Sequence, residues 1–417
     1  MLVVVIGAGA AGLVAAAEAA KQSAQVLLLE KNNKTGVKIL MSGGTRCNLT
    51  HDTDARGITL AFGQARRFLQ PSVGGFPPTD VVQMFSRLGV KTKVEATGKI
   101  FPVSDRAVEV RDALHAQAIA AGVEIRVGSG VNDVSKSANC WHITAGGQRI
   151  EADRVIVTAG GKSWPGCGTT GDAYEWLRKL GHTIVTPRPA LVPLVGGFGW
   201  THELSGVTLA DCQATVQGVD RADGITKRNK RPLLVRRASW LFTHFGFSGP
   251  AAMDLSGVIT AAESFHDVAL TLDLLPDFDR AALEAAFSDR RGAGGRRNIA
   301  AIVGQWLPNR VAEALVRQTG ENVPVAELPR KRMLKLIEQI KRLQLPVTGT
   351  KGFAKAEVTA GGVSLDEVDP RTMASRKAKG LYIAGEVLDV DGWIGGYNFQ
   401  AAFSTGRAAG IAAARSD

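Results

Sequence analysis

A chain of 417 residues, 45% hydrophobic and 21% charged, has room for several domains and a large core, which excludes a small stapled scaffold and a disordered polymer. No apolar run is long enough to cross a bilayer, and no basic segment precedes the first apolar run, so no membrane association is expected and the expected location is cytoplasmic. The net charge of +11 raises the question of an anionic partner, and four scattered cysteines (Cys47, Cys140, Cys167, Cys212) show neither a CxxC nor a metal-ligand spacing, so no metal is expected.

Leu2 to Ile6 form a short apolar run suited to a buried parallel strand. Gly7, Gly9 and Gly12 follow at once, and a small-residue helix runs to about Ala20. A second apolar strand, Val26 to Leu29, ends on Glu30. Strand, glycine turn, helix, strand and terminal acid is the order of a dinucleotide-binding βαβ unit. The first glycine permits the turn, the second admits a pyrophosphate, and the third lets helix and strand pack closely. The helix N-terminus offers unpaired donors to the phosphates, while Glu30 accepts from a ribose and repels a 2′-phosphate. NAD and FAD both use such a cradle, so this stretch does not choose between them.

Beyond Lys31, the run Thr35 to Asn48 carries paired glycines, Lys38, Ser42, Gly43, Arg46 and Asn48, a donor-rich loop that can lie against a polyanionic or carbonyl-rich ligand. Asp80 to Leu88 and Arg106 to Ala121 read as amphipathic helices, the second leading to a strand over Val123 to Val127. Ala152 to Gly161 is another apolar strand that runs into a small-residue turn, and Asp172 is placed to cap the helix that follows it. Pro187, Pro189 and Pro193 mark a boundary, after which short alternating segments such as Leu209 to Val216 and Val268 to Leu272 predict an inserted, largely antiparallel domain. Asp279 to Gln344 reads as helical, with Met333, Leu336, Ile337, Ile340 and Leu343 on one face. Between Arg221 and Thr350 there are 20 Lys and Arg against 13 Asp and Glu, so most of the charge surplus lies in this middle part.

The chain then returns to the first texture. Gly380 to Glu386 is a strand ending in glycine and a carboxylate, and Gly395-Gly-Tyr-Asn-Phe-Gln400 opens a helix to about Ala414. A carboxylate there can accept from a ribityl chain, and a helix N-terminus aimed at a flavin would meet the edge where charge collects on reduction. This second site favours FAD over NAD.

These motifs together resemble the BaiN-like (YhiN-type) NAD(P)/FAD-dependent oxidoreductase family, which includes flavoproteins called aminoacetone oxidases. The resemblance rests on Lys38-Ile-Leu-Met-Ser-Gly-Gly-Thr-Arg-Cys-Asn48, Gly160 to Asp172, Leu241 to Pro250, Thr359 to Val363 and Gly385 to Ala401, and spans almost the whole chain. It implies a discontinuous Rossmann-like α/β FAD-binding domain (residues 1–186 and 351–417), an inserted β-rich, barrel-like domain (187–275) and a small helical domain (276–350). It also implies that Gly7, Gly9, Ala11, Gly12, Glu30 and Lys31 hold the adenosine and pyrophosphate half of FAD, and that Lys38, Ser42, Gly43, Arg46 and Asn48 run beside the cofactor. Ala159, Gly160 and Gly161 form the strand-end turn, and Gly385, Glu386, Gly396, Tyr397, Asn398 and Phe399 lie at the ribityl and flavin end. Val131 is expected to meet the adenine through its backbone. Val37 and Thr45 replace the Arg and Gly of many relatives, and Glu386 stands where wider flavoproteins carry Asp.

The expected activity is FAD-dependent oxidoreduction of a small or hydrophobic organic molecule. NAD(P)H, if it is the donor, must bind transiently, because there is one glycine-rich cradle. Reduction of a conjugated double bond and oxidation of an amine or amino-ketone both fit the resemblance. An alternative of another class is an RNA-binding flavoprotein related to tRNA-modifying enzymes, motivated by Lys227 to Arg231, Arg236-Arg237, Arg290-Arg291 and Arg296-Arg297; no nucleic-acid motif accompanies that charge, so nucleic acid is not the expected partner. His244 is the candidate proton donor. Cys47 has no second cysteine nearby and reads as a packing residue.

Overall fold

The computed structural model describes residues 1–138, 140–220, 227–229, 231–292 and 295–415. They divide into two compact units, Met1–Pro189 with Phe353–Asp417, and Ala190–Gly352.

The first unit is built on a parallel sheet. Its strands, in spatial order, are Leu381–Ile383, Arg154–Val157, β1 (Leu2–Ile6), β2 (Gln25–Leu29) and Glu124–Arg126. Every neighbouring pair is parallel. The order reverses between β1 and Arg154–Val157, so the crevice beyond their carboxyl ends is the ligand-binding position of an open α/β sheet. Val3 to Ile6, Val26 to Leu29 and Val155 to Val157 are buried, which explains their unbroken apolar runs.

Helix α1 (Ala10–Lys21) is buried almost all round, so small residues are required on it. The C-terminal helix Tyr397–Ala413 lies along it at backbone contact. A Cβ at Gly406 would stand 2.4 Å from the Ala11 carbonyl, and one at Gly410 would stand 2.3 Å from that of Ala15. Glycines four residues apart therefore fit alanines four residues apart. A three-stranded antiparallel meander, Val131–Lys136, Trp141–Ala145 and Gln148–Ala152, links Glu124–Arg126 to Arg154–Val157 in the chain.

The second unit holds an antiparallel sheet whose long central strands are Thr208–Asp220 and Leu234–Thr243. Trp240, Phe242, Phe247, Leu270 and Leu272 form one core with the helical segment. The β-rich and helical segments, read from sequence as separate domains, thus share one compact unit. The single helical stretch expected over Asp279 to Gln344 is four helices, Arg280–Gly292, Ile299–Val303, Asn309–Thr319 and Arg330–Lys341. Pro308, Gly320, Pro324 and Pro329 punctuate it. The apolar face of the last helix is buried as expected, with Leu336, Ile337 and Ile340 at 0% exposure. Asp172 occupies the N-cap position of the helix Ala173–Lys179 but makes no capping hydrogen bond; its carboxylate goes to Lys31 and Thr170 instead.

Gly410→Ala should lower stability by roughly 1–3 kcal/mol through overpacking against Ala15, read as a drop in Tm. A variant as stable as the wild type would show that the two helices are free to separate.

Candidate active site

Three strand ends meet at the crevice. At the first, Gly7 has φ +99 and donates its N–H to the Leu29 carbonyl at 2.8 Å. A Cβ on Gly12 would lie 1.8 Å from the Gly7 carbonyl, whereas one on Gly9 would meet nothing within 4 Å. The third glycine is thus needed for helix–strand packing, and the second faces open space where a ligand can approach. Glu30 is 8% exposed; Oε2 accepts from Ala8 N–H at 2.8 Å, and Oε1 accepts from the backbone and side chain of Asn32 at 2.9 and 2.8 Å. Ser129 N–H reaches the Glu30 carbonyl at 2.8 Å, which lays the run into Val131 beside this acid.

At the second strand end, Thr158 Oγ1 lies 2.9 Å from the carbonyls of both Ile6 and Gly7 and ties the two strands together. Gly160 has φ +74. A Cβ on Gly161 would stand 2.4 Å from Thr359 Oγ1 and 3.1 Å from Glu386 Oε1, so this turn runs directly past the third strand end.

There, Gly385 has φ +78 and approaches the Ala11 methyl so closely that an added Cβ would lie 2.9 Å from it. That contact sets Glu386 close to the start of α1. Lys38 Nζ pairs with Glu386 Oε2 at 2.5 Å and donates to Ser163 Oγ at 2.6 Å, while Ser163 and the Thr359 N–H donate to Oε1 at 2.7 and 3.0 Å. Lys38, in the short helix Val37–Met41, and strand-end residue Glu386, 348 positions apart, form one partly buried pair.

Other expected site residues are occupied within the chain. Lys31 pairs with Asp172 at 2.6 Å and Thr170 at 2.7 Å. Arg46 is held by Glu95 and Asp105 and lies 4.0 Å over the Phe101 ring. Ser42 Oγ donates to the Ile39 carbonyl at 2.6 Å, and Gly43 has φ +55. Asn48, with its amide turned to suit its neighbours, accepts from Gly396 N–H at 3.0 Å and donates to the Thr50 carbonyl at 2.9 Å. Tyr397 stacks on His51 at 4.8 Å, Phe399 stacks on Phe403 at 5.8 Å, and the Asn398 amide clasps Gly392 at 2.8 and 3.0 Å. These contacts shape the loop ahead of the C-terminal helix. Ala159 is half-buried beside Gly160. Cys47 is buried, and burial pushes its thiol up to about 12, as suits a packing residue and not a nucleophile.

His244 is exposed in the second unit, edge-to-face with Phe245 at 5.0 Å. Nothing in its surroundings marks it as an acid. The carboxyl of the first unit raised furthest toward neutrality is that of Asp391, in the chain between Glu386 and the C-terminal helix. Burial, with the neighbouring Asp389 and Glu386, raises it to about 6 against the opposing charge of Arg188. Burial also raises Asp389 and Glu357, against Gly361 N–H and the Lys38 charge respectively. Sequence reasoning did not single out Asp391. Its only signal was a second aspartate in the loop between two glycine motifs.

The pattern described as the HI0933-like protein Rossmann domain matches residues 1–412. The chain belongs to the HI0933-like family. Within it, the chain is 33% identical over 404 residues to the ribosomal RNA dihydrouridine synthase of Escherichia coli, covering 96% of this chain and 95% of that one. It is equally 33% identical over 415 residues to the 3-dehydro-bile acid delta(4,6)-reductase of Clostridium scindens, covering 98% of each. The ribosomal RNA dihydrouridine synthase of Haemophilus influenzae is 29% identical, covering 99% of this chain and 98% of the relative. Among solved structures, the 3-ketosteroid-delta4-(5alpha)-dehydrogenase of Rhodococcus jostii RHA1 has the same fold, with a TM-score of 0.53, 15% identity and coverage of 99% and 96%. As a member of the HI0933-like family, the chain is an FAD-dependent oxidoreductase with a Rossmann-like α/β fold. No described helix is long and apolar enough to cross a membrane.

The residues present fit FAD: an open face at Gly9, unpaired first-turn donors on α1, and one anchored carboxylate at each end of the crevice. Lys38→Met, which strands Glu386 without its cation, should weaken FAD binding about tenfold or more in a fluorescence titration. Asp391→Asn should leave stability unchanged below about pH 4. It should raise stability by about 1–3 kcal/mol at pH 8, because a raised carboxyl pKa makes the folded state lose stability as the pH climbs through it. Thermal melts across pH 4–8 would check the sign.

Proposed function

We propose that this enzyme reduces a carbon–carbon double bond conjugated to a carbonyl, and that its substrate is a uracil base of ribosomal RNA. The observation that carries this reading is the pair of full-length relatives with different substrates. One is named for making dihydrouridine in ribosomal RNA, the other for reducing a Δ4,6 bile acid that bears a 3-oxo group. In both, hydrogen adds across a double bond polarised by a carbonyl. Only the carrier of that bond differs.

FAD, when bound and reduced, would supply the hydride chemistry for such a system. The chain supplies the rest. The glycine turn and Glu30 would hold the adenosine end, and the Lys38–Glu386–Ser163 cluster would fix the ribityl end. The electron pair displaced onto the α-carbon takes a proton, and Asp391 is the acid that provides it. With no hydrogen-bond donor on it among the described residues, its proton is available for transfer.

RNA is favoured over a steroid by charge. Arg296, Arg297, Arg330 and Lys331 are exposed on the second unit. Other basic residues named from sequence are neutralised: Arg236 pairs with Asp254 at 2.8 Å, and Arg237 with Asp211 and Asp277 at 2.6 Å each. Arg290 lies 5.0 Å over Trp306, and Arg291 donates to the Leu328 carbonyl. The Lys227 to Arg231 cluster lies partly outside the described residues.

The test is anaerobic stopped-flow absorbance. NADH or NADPH should bleach the oxidised flavin, and a ribosomal RNA transcript should restore it, with dihydrouridine measured by mass spectrometry and affinity falling steeply with salt. Restoration by a conjugated 3-oxosteroid but not by RNA would replace RNA with a lipid-like substrate. Restoration by neither, with rapid oxygen consumption on amines or amino-ketones, would overturn the reductase reading. Asp391→Asn should slow flavin reoxidation by substrate by about 10²-fold or more while leaving bleaching unchanged. Equal slowing of both steps would remove Asp391 from its role.

A further inference from the structure

The meander of the first unit carries a side-chain cluster that the flavin chemistry does not use. Trp141 points inward at 1% exposure, and its cross-strand partner Ala152 is at 4%. Alternation along the strand therefore turns Cys140 and His142 to the opposite face. His142 stands directly across from Glu151 in the next strand. Cys140 Sγ lies 3.7 Å from His142 Nε2, and His142 Nδ1 lies 3.7 Å from Glu151 Oε1. One ligand atom from each of the three falls within 4.8 Å of the others. Nδ1 is buried and has no hydrogen-bond partner, so the ring is placed without being satisfied.

A thiolate and an imidazole sharing a tetrahedral zinc, at about 2.3 and 2.0 Å, stand about 3.6 Å apart. The Sγ to Nε2 separation, 3.7 Å, is close to that value. We propose that Cys140, His142 and Glu151 bind one zinc-class divalent cation, with water in the fourth position. Glu151 is 69% exposed, so its carboxylate is free to swing to whichever ring nitrogen the thiolate shares. A mixed sulfur, nitrogen and oxygen set selects zinc or cobalt(II) over calcium or magnesium, which take oxygen ligands. Binding replaces the contact between Cys140 Sγ and Ser137 Oγ, 3.3 Å apart. The ion would join the start of the strand Trp141–Ala145 to the strand Gln148–Ala152 and brace the meander that carries Val131 past the Glu30 acid. The remaining cysteines, Cys47, Cys167 and Cys212, are buried and belong to no such cluster among the described residues.

Tag-free, chelator-treated holoprotein titrated with cobalt(II) should take up one equivalent per chain. It should show the visible bands of a tetrahedral ion together with a thiolate-to-cobalt charge-transfer band. Cys140→Ser should abolish the charge-transfer band, His142→Ala should abolish uptake, and Glu151→Gln should weaken binding by about 10–100-fold, with FAD content unchanged in all three. Zinc should raise the Tm of the wild type and not that of Cys140→Ser. No uptake at one equivalent, or a charge-transfer band that persists in Cys140→Ser, would overturn the assignment.

Discussion

The structure depends on backbone-to-backbone contact at one point, the start of α1. Gly12 lies against the Gly7 carbonyl and Thr158, Ala11 against Gly385, and the Ala11 carbonyl against Gly406. Segments from the beginning, middle and end of the sequence thus converge within the space of missing side chains. A side chain at Gly7, Gly12 or Gly406 would push one of them away, and with it one wall of the crevice. Thr158 adds a polar tie to this set, its hydroxyl donating to two consecutive carbonyls where β1 ends. The glycines therefore do two separate jobs. Gly9 opens room for a ligand, while Gly12, Gly406 and Gly410 close room between helices and strands.

That division explains which parts were legible in the sequence. The βαβ unit, its terminal acid and the C-terminal return each pair a hydrophobic period with glycines at fixed offsets, and these are local properties. The strand order and the burial of Val3 to Ile6 follow from them. What lay beyond reach was the fate of long cations. Nothing local says that Arg46 will be held by Asp105, 59 residues away, or Lys31 by Asp172, 141 residues away. A donor-rich loop reads as a ligand site whether its donors face a cofactor or one another. Lys38 shows the intermediate case, because its partner Glu386 is itself a cofactor residue by motif. The Asp172 cap failed for the same reason: a carboxylate that could have served a helix end found a stronger partner in an ammonium.

The partly buried acids of this crevice follow a single electrostatic pattern. Glu386 keeps a cation at 2.5 Å and three donors in all, whereas Asp391, close to it, has only the opposing charge of Arg188. The two carboxylates thus differ in their partners. Glu386 is anchored by donors and suited to accept hydrogen bonds from a polyol, while the raised Asp391 carboxyl exchanges its proton close to neutral pH. No catalytic histidine is needed for that division, and His244 is exposed in the second unit.

Relatives that differ in substrate yet match end to end constrain where specificity resides. An enzyme named for ribosomal RNA and one named for a bile acid each align over 95% or more of their own length, so no added domain accounts for the change from a polyanion to a steroid. The difference must lie in side chains displayed on a common frame. In this chain the exposed Arg296, Arg297 and Arg330 lie in the second unit, while the crevice of the first is governed by small residues and paired carboxylates. Chemistry and recognition can then vary independently. On the proposed reading, substitutions among exposed arginines would alter which molecule is retained without disturbing Gly12, Glu30 or Glu386, whereas a change at those three would remove the reaction whatever the substrate. Charge reversal at Arg296 and Arg297 with retained flavin bleaching would therefore separate the two functions in one variant.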